Sequence, residues 1–251
     1  MSDCKLVGIP VEKDKPGLKA GWEQPCDRAP YLQLIGRLGW IATGTRPDIA
    51  FTVSYLERFN SDPSDCHCLC VKRVLRFLSG TGKLRLSLGG ETQTVMSLSG
   101  FVDADFAGDA SSLKSTIGYM FLLGTGRIPW HSKNQAITAT STADAEFIAS
   151  VSAIQQVVWF WNLIREIGGS ELRVSTLYND NQTSLSTFKD TTYKPHSKHI
   201  GVSIHQIKEF IEDGKEVTMG YCGTSDMIAD RLPKPLVLSK HVQFLQMCGL
   251  S

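Results

Sequence analysis

From position 30 onward, apolar residues recur at helical spacing. Leu32, Ile35, Leu38 and Ile41 run up to Thr43-Gly44, and after Arg46-Pro47-Asp48 the pattern restarts through Ile49, Val53, Leu56 and Phe59. Pro47 suits the first turn of that second helix. A third helix is predicted over 63–78, through Leu69, Val71, Val74, Leu75 and Leu78, with Lys72, Arg73 and Arg76 among them. Ser79-Gly80-Thr81-Gly82 stops it. Residues 30–90 thus read as a small helical module. Residues 1–29 mix Pro, Gly and charge without a period and read as an extended, poorly ordered lead-in. Leu84, Leu86 and Leu88 alternate, which predicts a strand over 83–88, and 89–94 is the expected linker.

Past residue 95 the period changes from three or four to two. Strands are predicted over 97–103, 117–123 and 127–131, joined by glycine-rich turns, as in an antiparallel meander. A long helix follows over 141–167, with Phe147, Ile154 and Trp161 on one stripe and Gly168-Gly169 at its end. Then come a strand over 173–178, helices over 182–188 and 197–212, and a strand over 215–222. A helical stretch from 225, broken at Pro233 and Pro235, completes the chain. The order β-β-β-α-β-α-α-β-α predicts an α/β domain over 95–251, a mixed sheet with helices packed against it.

Composition narrows this little. The 251 residues carry a net charge of +1, so total charge announces neither a nucleic-acid nor a membrane partner. The seven cysteines are odd in number and show no framework spacing, and the polar N-terminus has no signal-peptide core. A reduced, intracellular protein is the expectation. Gln155 and Gln156 interrupt the most apolar stretch, so no membrane-spanning run is expected.

The chemistry lies in carboxylates. In the run LSGFVDADFAGD, strand geometry puts Phe101, Asp103 and Asp105 on one face and Val102 and Ala104 on the other. Two aspartates on one strand face need solvent or a cation to offset their repulsion, and Asp103 lies behind apolar neighbours. Glu146 follows the start of the long helix, where Asp144 already suffices for capping. Asp180 ends an apolar strand and precedes a helix, a place where ligands collect but also where aspartates routinely cap. Asp230, in IADRL, has the same two readings. Together the four would supply the oxygen ligands that two Mg²⁺ ions require. Other motifs are weaker. GTGK at 80–83 has Phe77 in place of the first phosphate-loop glycine and Leu84 in place of the final Ser/Thr. Cys66, Cys68 and Cys70 with His67 lack zinc-site spacing and read as small buried thiols.

FVDADFAGD, KSTIGYMFLLG, IPWHSKNQ, STADAEFIA, YNDNQ, KHI and ADRLPKPL resemble, in this order, the ribonuclease H domain of copia-type retrotransposon polyproteins. PYLQLIGRLGWIATGTRPDIAFTVSYLERF and KRVLRFLSGT resemble the segment joining the polymerase to that domain. The resemblance covers about residues 28–250. It implies a ribonuclease H-like, five-stranded mixed sheet preceded by a small helical module. It implies that Asp103, Glu146, Asp180 and Asp230 hold two Mg²⁺ ions, with Mn²⁺ as a substitute. It also implies hydrolysis of the RNA strand of an RNA/DNA hybrid, and a polyprotein or reverse transcriptase as partner. Asp105 falls at a more variable neighbouring place. Departures from the family pattern are Gly201 where an acid is usual, Pro233 for threonine, Cys68 for tryptophan, and an altered 194–199 segment. The paired aspartates of the polymerase are absent, so no polymerase activity is expected. A chain beginning at Met1 also suits a remnant of the element, which would bind nucleic acid or protein without catalysis.

Overall fold

In the computed structural model, residues 4–12, 24–89, 97–109, 112–167, 175–189 and 217–251 are described. The expected helix over 197–212 and the departures at 194–199 and Gly201 lie outside them.

The helical module forms as its periodicity predicts, with α1 at Arg28–Gly44, α2 at Ala50–Glu57 and α3 at Asp65–Gly80. Tyr31, Ile35, Leu38, Val53, Leu56, Val71, Val74 and Phe77 bury one shared core. The second helix begins as a 3-10 turn, Pro47–Ile49, because Asp48 is drawn into a buried pair. Arg46 donates to it twice, from Nε to Oδ1 at 2.8 Å and from Nη2 to Oδ2 at 2.6 Å, and also to Thr81 Oγ1 at 2.8 Å. Of the lead-in, residues 4–12 and 24–29 are described, and some of them join this module. Val11 is buried in this core, the side chain of Asp27 caps α1, and Cys26 is bonded to Cys68 in a disulfide. That pairing overturns the thiol expectation for Cys68 alone, while Cys66 and Cys70 stay thiols and are half-buried. Cys26 and Cys68 are brought together by the packing of α3 against residues 24–27.

The period-two segments form β1 at Leu98–Asp105, β2 at Thr116–Leu123 and β3 at Gly126–Asn134, an antiparallel meander. β4 (Ser175–Asn179) adds parallel to β1, and β5 (Val217–Tyr221) parallel to β4. The five-stranded order is β3-β2-β1-β4-β5. α4 (Thr142–Glu166) covers one face, where Val102, Ala104 and Phe121 meet Phe147, Val151, Ile154 and Val157. By length and composition α4 is apolar enough to cross a membrane, contrary to the sequence expectation, since two glutamines dilute its hydropathy too little. Much of it is buried here against the sheet. α5 (Gln182–Lys189) follows β4. On the opposite face, Phe101, Met120 and Trp130 pack with Ile228, Leu232 and Phe244.

Two segments differ from expectation. Residues 83–88 stay outside the sheet and pair with the C-terminal tail: Arg85 N donates to Ser251 O at 2.8 Å and Ser87 N to Gly249 O at 2.9 Å. The last helix, α6 (Leu238–Met247), begins only after the prolines, because each removes an N–H and holds its predecessor out of helical geometry. Asp230 lies instead in a 3-10 turn, Ile228–Arg231. The module and the sheet meet at Trp130, whose Nε1 donates to the carbonyl of Ala42 at 2.7 Å.

Candidate metal centre

The acids converge because strand direction and helix start coincide. β1 and β4 run parallel with Phe101 paired to Tyr178, so Asp103 and Asp180 leave the sheet at the same end. α4 starts beside them. Ser141 Oγ accepts from Asp144 N at 3.1 Å, and Asp144 Oδ2 accepts from Thr140 N at 2.8 Å, a cap that occupies Asp144. Glu146 is left to turn inward. Its Oε1 accepts from Ala104 N at 3.1 Å and its Oε2 from Asn179 Nδ2 at 3.1 Å. Asp180 Oδ2 accepts from Thr224 Oγ1 at 2.9 Å. Asp103, Glu146 and Asp180 each offer an oxygen within 4.8 Å of the others.

Asp230 approaches from the opposite face. It is buried, its charge is felt at Asp103, and its Oδ1 accepts from Lys234 Nζ. It stands beside the trio and is not one of the mutually close set. Asp105 is only half-buried, and its charge acts on Lys234.

Burial is the main cause of unusual acidity here. Asp103 and Glu146 are 5% and 3% exposed. Burial, then the charge of Asp230, pushes Asp103 up to about 7, against the opposing pull of Lys234. Burial, then the charge of Asp103, pushes Glu146 up to about 9, while the Ala104 N–H and Asn179 hold it down. Close, desolvated carboxylates with oxygen-only ligands form a set suited to a hard divalent cation, which would remove the repulsion that protons otherwise relieve.

Two contributors escape a reading of the acids alone. Asn179 is fully buried, gives Glu146 and Ser150 Oγ its amide hydrogens, and accepts from Asn181 N at 2.6 Å. Its signal was an amide on the inward face of β4, in register with Leu177, where burial demands a partner. Lys234 lies four residues after Asp230, beyond the 3-10 turn, and its Nζ reaches back to Asp230 Oδ1. The cysteine cluster, in contrast, forms no metal-ligating group among the described residues. His67 accepts from Ser64 N at 3.0 Å as part of a helix cap. Arg73 on the basic helix pairs with Glu12 at 2.7 Å. A cavity of about 110 Å³ between α1, α2 and β3, lined by Glu57, Trp130 and Ser132, is not lined by Asp103, Glu146, Asp180 or Asp230.

A mixed sheet in this order, with acids at the end of its first strand, on the helix after the meander and after the fourth strand, defines a ribonuclease H-like domain. The chain is 33% identical over 223 residues to the retrovirus-related Pol polyprotein from transposon TNT 1-94 of Nicotiana tabacum, covering 89% of this chain and 16% of that one. Homologues of the chain include retrovirus-related Pol polyproteins from copia-type transposons. The chain is also 40% identical over 132 residues to the secreted RxLR effector protein 161 of Plasmopara viticola, covering 52% of this chain and 90% of that protein. Among solved structures, LC11 ribonuclease H1 in complex with an RNA/DNA hybrid aligns with a TM-score of 0.38 and 13% identity, over 55% of this chain and 92% of that one. No family model matches. The chain spans only about 16% of the length of the tobacco polyprotein.

Proposed function

We propose that this chain is a divalent-cation-dependent ribonuclease H that hydrolyses the RNA strand of RNA/DNA hybrids. The observation that carries this reading is the convergence of Asp103, Glu146 and Asp180, from three separate elements, within 4.8 Å of one another. Asp230 completes the set from the opposite face. These four would hold two Mg²⁺ ions, or Mn²⁺ in their place. Bound there, such ions lower the pKa of an attacking water and offset the charge that develops on the phosphate.

The chain's own residues prepare the ligands. Asn179 and the Ala104 N–H fix the two oxygens of Glu146, so its carboxylate is oriented before any cation arrives. Asp103 faces acids from both sides of the sheet edge and is the natural shared ligand. The buried setting keeps competing water away from Asp103 and Glu146, which strengthens every charge interaction there. Hybrid selection would rest on 2′-hydroxyls and groove shape, because this chemistry has no use for base edges. Within the family, a reverse transcriptase or the remaining polyprotein is the natural partner. The direct test is cleavage of a labelled hybrid in Mg²⁺.

A second reading is a non-catalytic remnant that binds nucleic acid or protein. Lys234 favours it, since its ammonium already supplies a cation to Asp230. Hybrid binding that weakens with salt, without any Mg²⁺-dependent cleavage, would select this reading.

A further inference from the structure

We infer that Lys234 is a built-in counter-cation that competes with divalent metal for Asp230. This rests on the metal-binding reading above and sharpens it. Lys234 Nζ donates to Asp230 Oδ1 four residues back, across Pro233. Pro233 and Pro235 flank Lys234, which fixes φ at both neighbours and disfavours helical geometry at Lys234 itself. The two side chains differ in access: that of Asp230 is 12% exposed and that of Lys234 is 35% exposed. The lysine therefore has a route to solvent and the aspartate has little.

Charge explains why the pair exists. Burial works against the ammonium, but the hydrogen bond to Asp230 and the nearby carboxylates of Asp103 and Asp105 offset that cost. The ammonium in turn lowers the cost of keeping Asp230 close to Asp103. A divalent cation at Asp230 would bring like charge beside that ammonium, so the two exclude one another. An ammonium is a compact point charge on a flexible stem, hydrogen-bonded among the described residues to Asp230 and able to swing away. Among the described residues, none of Asp103, Glu146 and Asp180 is paired directly with a lysine or arginine, and that set fills first. The Asp230 side fills only when Lys234 leaves it.

The test uses the full chain and Mn²⁺ and Mg²⁺ alone, with calorimetric titration and thermal unfolding. Lys234→Met should tighten the weaker cation site by roughly tenfold, the effect of removing one nearby positive charge. Lys234→Arg should keep the wild-type affinity, and Lys234→Gln repeats the neutral variant should Lys234→Met fail to fold. In an Asp230→Asn background, Lys234→Met should change nothing. Without metal at neutral pH, Lys234→Met should lower the melting temperature of the otherwise wild-type protein but not that of the Asp230→Asn variant. Equal cation affinities for wild type and Lys234→Met would overturn the competition. Should no variant bind a cation, the ribonuclease reading fails, and the metal-free melting then decides whether Lys234 is a counter-cation: an unchanged melting temperature would overturn that too.

Discussion

Gly118 of β2 stands opposite Asp103 of β1 in the antiparallel ladder, and its missing side chain leaves room for the turn that carries Asp230. A Cβ at Gly118 would lie 2.8 Å from Leu232 Cβ, 2.8 Å from Pro233 Cδ and 2.9 Å from Ala229 O. Gly118→Ala is therefore expected to destabilise the fold by about 1–3 kcal/mol through overpacking. Urea unfolding measures it, and because the crowding atoms are a Cβ, a proline ring carbon and a backbone oxygen, Leu232→Ala should recover none of the loss. A neutral effect of Gly118→Ala would mean that the turn is not held by this contact.

Asn179→Ala removes the donor to Glu146 Oε2 and leaves Ser150 short of a partner. The expected loss is about 1–3 kcal/mol, the cost of stranding buried polar atoms. Because Asn179 favours the ionised form of Glu146, the variant should also titrate Glu146 at higher pH. Carboxyl carbon shifts followed by NMR against pH would show it. In a Glu146→Gln background the stability loss should shrink.

The metal-free protein should lose stability as pH rises. Asp103 at about 7 and Glu146 at about 9 hold protons in the folded state that carboxyls at their ordinary 3.8 and 4.5 release in the unfolded chain. The folded state thus binds more protons between those limits, and linkage makes stability fall with pH from about pH 4 to about pH 9. The combined effect is on the order of several kcal/mol. Melting curves across that range should show the decline. Asp103→Asn should flatten it and raise the metal-free melting temperature near pH 8, while saturating Mg²⁺ should stabilise wild type and not the variant.

Much of this arrangement is legible in the chain. Alternation marked β1, β2 and β3, and Ser141 with Asp144 explained why Glu146 was free for other work. What sequence hid was distance. The tail at 249–251 satisfies the alternating segment 83–88, so a strand signal did not mean a place in the sheet. The prolines at 233 and 235 delay the last helix, so Asp230 belongs to a 3-10 turn and not to a helix start. Cys26 and Cys68 meet across 42 positions, a pairing that no local pattern encodes. Asn179 and Lys234 gain meaning only from the acids packed around them.

Trp130 couples the helical module to the sheet through its bond to the Ala42 carbonyl. Trp130→Phe should leave that buried carbonyl without its donor and cost about 1–3 kcal/mol. Hydrogen exchange should then show faster opening of α1 together with β3. Loss of protection in α1 alone would indicate that the module is not coupled to the sheet through this residue.

The most direct test is cleavage of an RNA/DNA hybrid labelled on its RNA strand, with Mg²⁺, by wild type and by Asp103→Asn. Wild type should cut the RNA strand only when Mg²⁺ is present, and Asp103→Asn, with its fold checked by its melting curve, should lose at least about a hundredfold in rate, the scale on which single catalytic groups act. Equal residual cleavage by the two proteins, or none by either in Mg²⁺ or Mn²⁺, would contradict a metal-dependent ribonuclease built on these four acids.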